Sequence, residues 1–360
     1  MLADQKSSSV TGDKIKARIL EFDVLRAVAI LLLILHHGGI YNFRIEEYSL
    51  LPMRNIVALF LLGTFLFLSG YFLVQSLERR GMWDFWRDKF TRLVIPYWIA
   101  ILLFIVVLEA TNNPLDILIH FTGSQMVLAP RFTTPVLTLW YISLTLVYYL
   151  IFGFLLIWIR KPLHILMAAF VVYGVAALLR MKFGLFDHRF FDYFFVFGAG
   201  VFLAKTDWLK RLGTTRFLLL DKLVLFALSF VILYPLRNHI RDDVRILVVF
   251  AITFFILSSI LLSLSVLKLV VKIPLVYHFF SVISTASFFA YLLHRPIWGL
   301  LIGTGTTLSR LTLSIYLLLI GFFVVIPVSY FLQIGYDRVI DWFTGKRRKA
   351  PLSFPEQGSP

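Results

Sequence analysis

The chain is 360 residues long, 59% hydrophobic and 15% charged, and it contains no cysteine. That composition excludes an ordinary soluble domain and points to a multi-span membrane protein, while the missing thiols exclude disulfides, thiolate catalysis and Cys-ligated metals. A formal net charge of +15 invites a nucleic-acid partner, but no basic face with interleaved aromatics lies outside the apolar runs, so that partner is excluded.

Residues 1–18 are polar and Ser-rich, and read as a disordered cytoplasmic segment. The first apolar run lacks a small-residue cleavage site, so it is expected to be a retained span and not a signal peptide. Ten spans are predicted at 24–41, 55–77, 93–109, 138–159, 163–179, 190–204, 223–236, 246–266, 278–294 and 312–333. With the N-terminus inside, the cytoplasmic segments hold 23 Lys/Arg and the outer loops 11, with Arg26 completing the 35. This bias is the positive-inside rule, and the excess charge also suits anionic membrane lipid. The expectation is an all-α integral membrane protein of about ten transmembrane helices with both termini cytoplasmic. It divides into a disordered segment 1–18, a membrane domain 19–335 and a basic cytoplasmic tail 336–360. No internal repeat is visible, which argues against an inverted-repeat transporter.

The first span carries an unusual pair. Eleven positions separate Arg26 from His37, and at about 100° per residue they point the same way, roughly 16 Å apart along the axis. Asp23 lies about 40° from His37, whereas His36 sits about 100° off the stripe. Ionisable groups at membrane depth are costly and usually line a cavity. His37 is therefore the candidate general base, Arg26 a candidate holder of anionic charge, and Asp23 a group to orient either. The bland alternative is that both histidines are interfacial.

On the second span, Phe65-Leu-Phe-Leu-Ser69-Gly70 reads first as a close helix crossing and second as a hydroxyl at membrane depth. Residues 78–92 alternate aromatic and basic side chains and predict an interfacial amphipathic helix. Lys89 and Arg92, three apart, would be neighbours at the cytoplasmic mouth, able to hold phosphates or simply to satisfy the inside-positive bias. Pro96 suits the first turn of a span. The outer segment 110–137 holds three prolines and reads as a loop, with a short re-entrant piece near 115–121. Trp140-Tyr141 fits an aromatic belt or a sugar-stacking platform. Ser284, Ser287, Tyr291 and His294 form one polar stripe, serving a substrate path or helix–helix hydrogen bonds, and His294-Arg295-Pro296 is expected to end that span. No metal-ligand spacing, P-loop or nucleophile elbow is present.

These landmarks, in order, resemble the acyltransferase-3 family of membrane acyltransferases, many of which O-acetylate bacterial surface polysaccharides. They are Arg26-x10-His37, Phe67-Leu-Ser69-Gly70, Lys89-x-x-Arg92 leading to Pro96-Tyr97, Leu139-Trp140-Tyr141, and Tyr291-Leu-Leu-His294-x-Pro296. The resemblance implies a multi-pass protein of the bacterial inner membrane that takes an acyl group, acetyl above all, from acyl-CoA to a hydroxyl of a glycan or lipid-linked sugar. It implies no permanently bound cofactor, with acetyl-CoA as donor substrate. His37 would be the catalytic histidine and Arg26 its partner; Lys89 and Arg92 would hold the donor; Ser69, Trp140, Tyr291 and His294 would line the path. Where the family carries an Arg-x-x-Arg pair this chain has Lys89, which keeps the charge and loses the fork. Direct base catalysis and a covalent acyl-histidine relay both remain open. The competing class is a transporter or flippase for a lipid-linked glycan or small anion, with the Arg26–His37 stripe as a proton path.

Overall fold

In the computed structural model of the chain, residues 19–45, 48–206, 208, 219–236, 246–303 and 307–345 are described. The readings made for 1–18 and for the last fifteen residues lie outside that range. Helices run through the described residues as a bundle. They are α1 (Leu20–His37), α2 (Arg54–Arg80), α3 (Met82–Leu108), the short α4 (Pro114–Phe121) and α5 (Gln125–Leu128), then α6 (Trp140–Trp158) and α7 (Pro162–Phe183). They continue as α8 (His188–Thr206), α9 (Leu219–Leu236), α10 (Ile246–Val271), α11 (Pro274–Ile302) and α12 (Arg310–Thr344). A two-residue ladder pairs β1 (Arg44–Ile45) with β2 (Tyr48–Ser49) between α1 and α2.

Each of the ten predicted runs falls on one of the long helices. Eight of these are long and apolar enough to cross a membrane. The other two, α1 and α8, are 18 and 19 residues long, and each carries three charged side chains: Glu21, Asp23 and Arg26 in one, Arg189, Asp192 and Lys205 in the other. Charge in a span is tolerated where the helix faces protein. Both helices are deeply packed, and α8 buries Phe190, Phe191, Phe194 and Phe197 almost completely. Outward-facing side chains such as Val106, Phe154, Val171 and Phe331 are apolar and exposed, as a lipid-facing surface requires. The protein is an all-α, multi-span membrane protein.

Two details of the bundle position the site. First, α1 is an uninterrupted leucine-rich run that stops at Gly38-Gly39, where Gly39 takes φ +81 and turns the chain into a short 3-10 segment. A side chain at Gly39 would be strained in that conformation and would also meet Ser314 Oγ at 2.5 Å. Second, α2 and α8 cross at glycines. A Cβ on Gly70 would lie 2.3 Å from the Phe197 carbonyl oxygen, and one on Gly200 would lie 2.2 Å from that of Phe67. Reciprocal contact of backbone on backbone is what small residues at a crossing permit, and this is the packing role expected of Gly70.

The structure refines the element boundaries. Pro96 stands in the first turn of Ile95–Leu108, as expected, but helix precedes it, because the amphipathic helix Met82–Lys89 continues through a π turn at 90–94 into that segment. The same Val-Ile-Pro tripeptide recurs at 325–327, again just after a π turn, at 321–325 of α12. A proline cannot donate to the helix ladder and crowds the preceding turn, and a locally wider turn relieves both problems. Likewise α11 does not end at His294-Arg295-Pro296 but runs on through Pro296 to Ile302. Finally, within the segment 110–137 the short piece expected near 115–121 is helical as α4, α5 adds a further turn, and the polar groups of the segment are tied to the span ends. Gln125 is wholly buried, donating to Tyr97 Oη at 2.9 Å and accepting from the Val136 N–H at 2.9 Å. Tyr97 donates to the His120 carbonyl at 2.9 Å and Trp98 Nε1 to that of Phe121 at 2.7 Å.

Candidate active site

His37 stands at the C-terminal end of α1, and its Nδ1 lies 3.0 Å from Nε2 of His294 on α11, with the two rings within 6° of parallel. His294 is fully buried, and its own Nδ1 faces two backbone carbonyls of α11, Ala290 at 3.1 Å and Tyr291 at 2.9 Å. Carbonyls only accept, so the His294 proton must sit on Nδ1, which leaves its Nε2 as an acceptor. His37 Nδ1 must then carry the hydrogen donated to His294. In the neutral ring the lone pair of His37 is therefore on Nε2. Two helices and a pair of carbonyls thus select the tautomer of the candidate base.

A cavity of about 300 Å³ opens at His37. Its walls include His36, His37, Trp140, Arg189, Tyr291 and Arg295, with Pro135 and Thr138 contributed by the segment that Gln125 holds in place. Tyr291 Oη donates to the Thr138 carbonyl, tying α11 to that wall. The Arg189 guanidinium lies 4.5 Å over the Trp140 ring, an arrangement that orients the cation while leaving its N–H edges available. Outside the spans, burial lowers the pKa of His120, with Asp116 pulling the other way; that imidazole is packed beneath the loop and is not among the cavity walls.

The predicted site residues divide into two groups. His37, Trp140 and Tyr291 line the cavity, whereas His294, expected on the same path, stacks on His37 and is not one of the walls. Ser69 is seven residues further along α2 than the nearest wall residue, Leu62, and its hydroxyl bonds to Tyr141. The remaining residues lie at the opposite end of the bundle. Asp23 is buried and accepts from Tyr277 Oη at 3.2 Å. Arg26 packs over Phe72 at 5.5 Å, one helix-length of about 16 Å from His37. Lys89 Nζ sits 4.6 Å over Tyr149 and 5.4 Å over Phe85. Arg92 is bound by three carboxylates: Nε to Asp88 at 3.1 Å, Nη1 to Asp337, and Nη2 to Asp341 at 2.9 Å. With Tyr336 Oη donating to the Thr91 carbonyl, this cluster bolts the π turn of α3 to the end of α12.

Three wall residues escaped the sequence reading. His36 was expected to turn away, yet it lines the same cavity, and its Nδ1 is 3.1 Å from Tyr41 Oη. At the last turn of a helix the chain opens into loop, so a cavity there can reach around more than one face. Arg189 and Arg295 looked like loop cations at span ends. Their one available signal was that both adjoin an aromatic or histidine-bearing stripe.

The family model described as Acyltransferase domain matches residues 19–334. Comparison with curated proteins and with solved structures finds no match. The family match spans almost the entire bundle and takes in every residue of the cavity. The chain belongs to the acyltransferase-3 family and is a membrane acyltransferase.

Proposed function

We propose that this protein is an O-acyltransferase that moves an acyl group, acetyl above all, from cytosolic acyl-CoA to a hydroxyl of a glycan or lipid-linked sugar. The observation that carries the reading is the hydrogen-bonded His37–His294 pair at the cavity, which leaves an imidazole lone pair on His37. Membership of an acyltransferase family removes the motive for the transporter reading.

In the reaction, His37 Nε2 takes the proton of the acceptor hydroxyl as its oxygen attacks the thioester carbonyl. The tetrahedral intermediate collapses, the carbon–sulfur bond breaks, and the proton on His37 passes to the departing CoA sulfur. His294 acts through His37 as a positioning residue: it fixes the ring and accepts the Nδ1–H that strengthens while the imidazole is charged. The donor enters at the opposite end, which the inside-positive charge bias assigns to the cytoplasm of a bacterial inner membrane. There Lys89, with the exposed Arg79 and Arg87, is suited to the donor's phosphates. Arg92 supports that mouth as a strut, since its guanidinium is already engaged. Arg26 and Asp23 stand at that same donor end of the bundle.

The test is acetyl-CoA consumption, and acetyl incorporation into membrane glycan, by the purified protein and its His37→Ala variant. The expected result is loss of both in the variant. Near-normal transfer without His37 would sink the assignment.

A further inference from the structure

The walls around His37 are more cationic than proton transfer to an alcohol requires. Arg189 and Arg295 both line the cavity, and among its described wall residues there is no Asp or Glu. Arg295 Nε is buried and has no hydrogen-bond partner. The carboxylate nearest to Arg189 is Asp187, at 3.9 Å from its Nε. That carboxylate already accepts from the Arg189 backbone N–H at 3.0 Å and lies 3.3 Å from His188 Nδ1. Arg54, on the first turn of α2, acts electrostatically on His36, His37 and Arg295 and adds to the same positive field. Positive charge on Arg295 and Arg54 acts on His37 and opposes a developing imidazolium there unless an anion lies beside it. At the other end of the bundle the same protein surrounds a single arginine with three carboxylates, whereas the described residues place none on the walls of this cavity.

We propose that the acceptor bears a compact oxyanion, a carboxylate or a phosphate on the sugar, and that Arg189 and Arg295 hold it while a neighbouring hydroxyl meets His37 Nε2. The term acceptor rests on the acyl-transfer reading above. A guanidinium presents a planar fork that matches both anions, and Trp140 keeps that of Arg189 in position from beneath. A volume near 300 Å³ is at the small end of ligand pockets, room for about one sugar ring with its charged substituent. The ring itself can pack on Tyr291. The anion also offsets the repulsion that the cations impose on the charge gained by His37. An uncharged sugar lacks this offset and leaves the buried Arg295 Nε without a partner, so the site selects against it.

The experiment measures thermal stability of the full chain in detergent with methyl glucuronoside, glucose 1-phosphate or methyl glucoside, alongside acetyl-CoA turnover. The charged sugars are expected to raise the midpoint by a few degrees through linkage, and methyl glucoside not to. Comparing the first two probes tells carboxylate from phosphate. Arg189→Gln and Arg295→Gln should each abolish the shift, and Arg189→Lys and Arg295→Lys, the variants to use if the glutamines do not fold, should weaken it. Equal shifts for charged and neutral sugars, no shift for either charged sugar, or shifts that survive all four substitutions overturn the proposal. His37→Ala separates the two readings. It should retain the anion-dependent shift while losing turnover; retained turnover would instead defeat the acyl-transfer reading and leave the anion result standing.

Discussion

The two ends of the bundle use arginine in opposite ways. At one end Arg92 meets Asp88, Asp337 and Asp341 and joins the π turn of α3 to α12. At the other, Arg189 and Arg295 face a cavity whose described walls offer no carboxylate. The residue type is the same; the partners decide whether it is a strut or a ligand-holding group. The histidines differ in the same manner: His294 has every nitrogen committed, while His37 keeps one free. What sets the candidate site apart is less its charge than the buried Arg295 Nε, which has no hydrogen-bond partner among the described residues.

The sharpest way to break the comparison is at His37. His37→Ala should reduce acyl transfer by about 10²–10⁴-fold, the range of general acid–base contributions, with the melting profile close to that of the parent. Next is His294→Phe, which keeps a ring but removes the acceptor for His37 Nδ1–H. A loss of about 10²-fold in kcat with little change in KM is expected, because the base would sample the wrong tautomer. Steady-state kinetics with acetyl-CoA distinguishes this from a binding defect, which would move KM instead.

Arg92→Ala probes the strut. Its side chain is 19% exposed and its three partners 19–29%, so the loss lies between surface and buried values, about 1–3 kcal/mol of stability. Thermal unfolding in detergent should register it, and any fall in turnover should follow the fall in folded protein. Gly200→Ala adds a methyl where 2.2 Å separates the site from the Phe67 carbonyl, and overpacking of this kind costs about 1–3 kcal/mol. The least effect on acceptor affinity belongs to Arg26→Gln, which lies far from the cavity. An Arg26 variant that raised the acceptor KM as much as Arg295→Gln would erase the distinction between the two ends.

Much of this was legible before folding. Spans of about twenty apolar residues are set by bilayer thickness, so the ten runs and the all-α class could be read directly. His37 was visible because an ionisable group in a leucine run is conspicuous, and His294 because it sits on a three-four polar stripe. Arg189 and Arg295 were not conspicuous, since arginines at span ends are ordinary in any membrane protein. Their meaning depends on the start of α8 and the interior of α11 meeting at one cavity by the end of α1, a juxtaposition without any local sequence signal. The helical continuation through Pro96 and Pro296 was hidden for a related reason: proline is a local breaker whose effect neighbouring turns can absorb.

What the sequence by itself determined, then, is the membrane class, the order of helices and the candidate for the base, because hydrophobic length and buried charge are properties of single segments. Only the tertiary structure decided the rest. It set His294 against His37 across 257 positions of chain, gave Arg92 its three carboxylates, and left two arginines facing a cavity. Each of these is a matter of which side chains meet. Hydrogen bonds and ion pairs act over a few ångströms, so their partners are fixed by packing between helices and not by spacing along one of them.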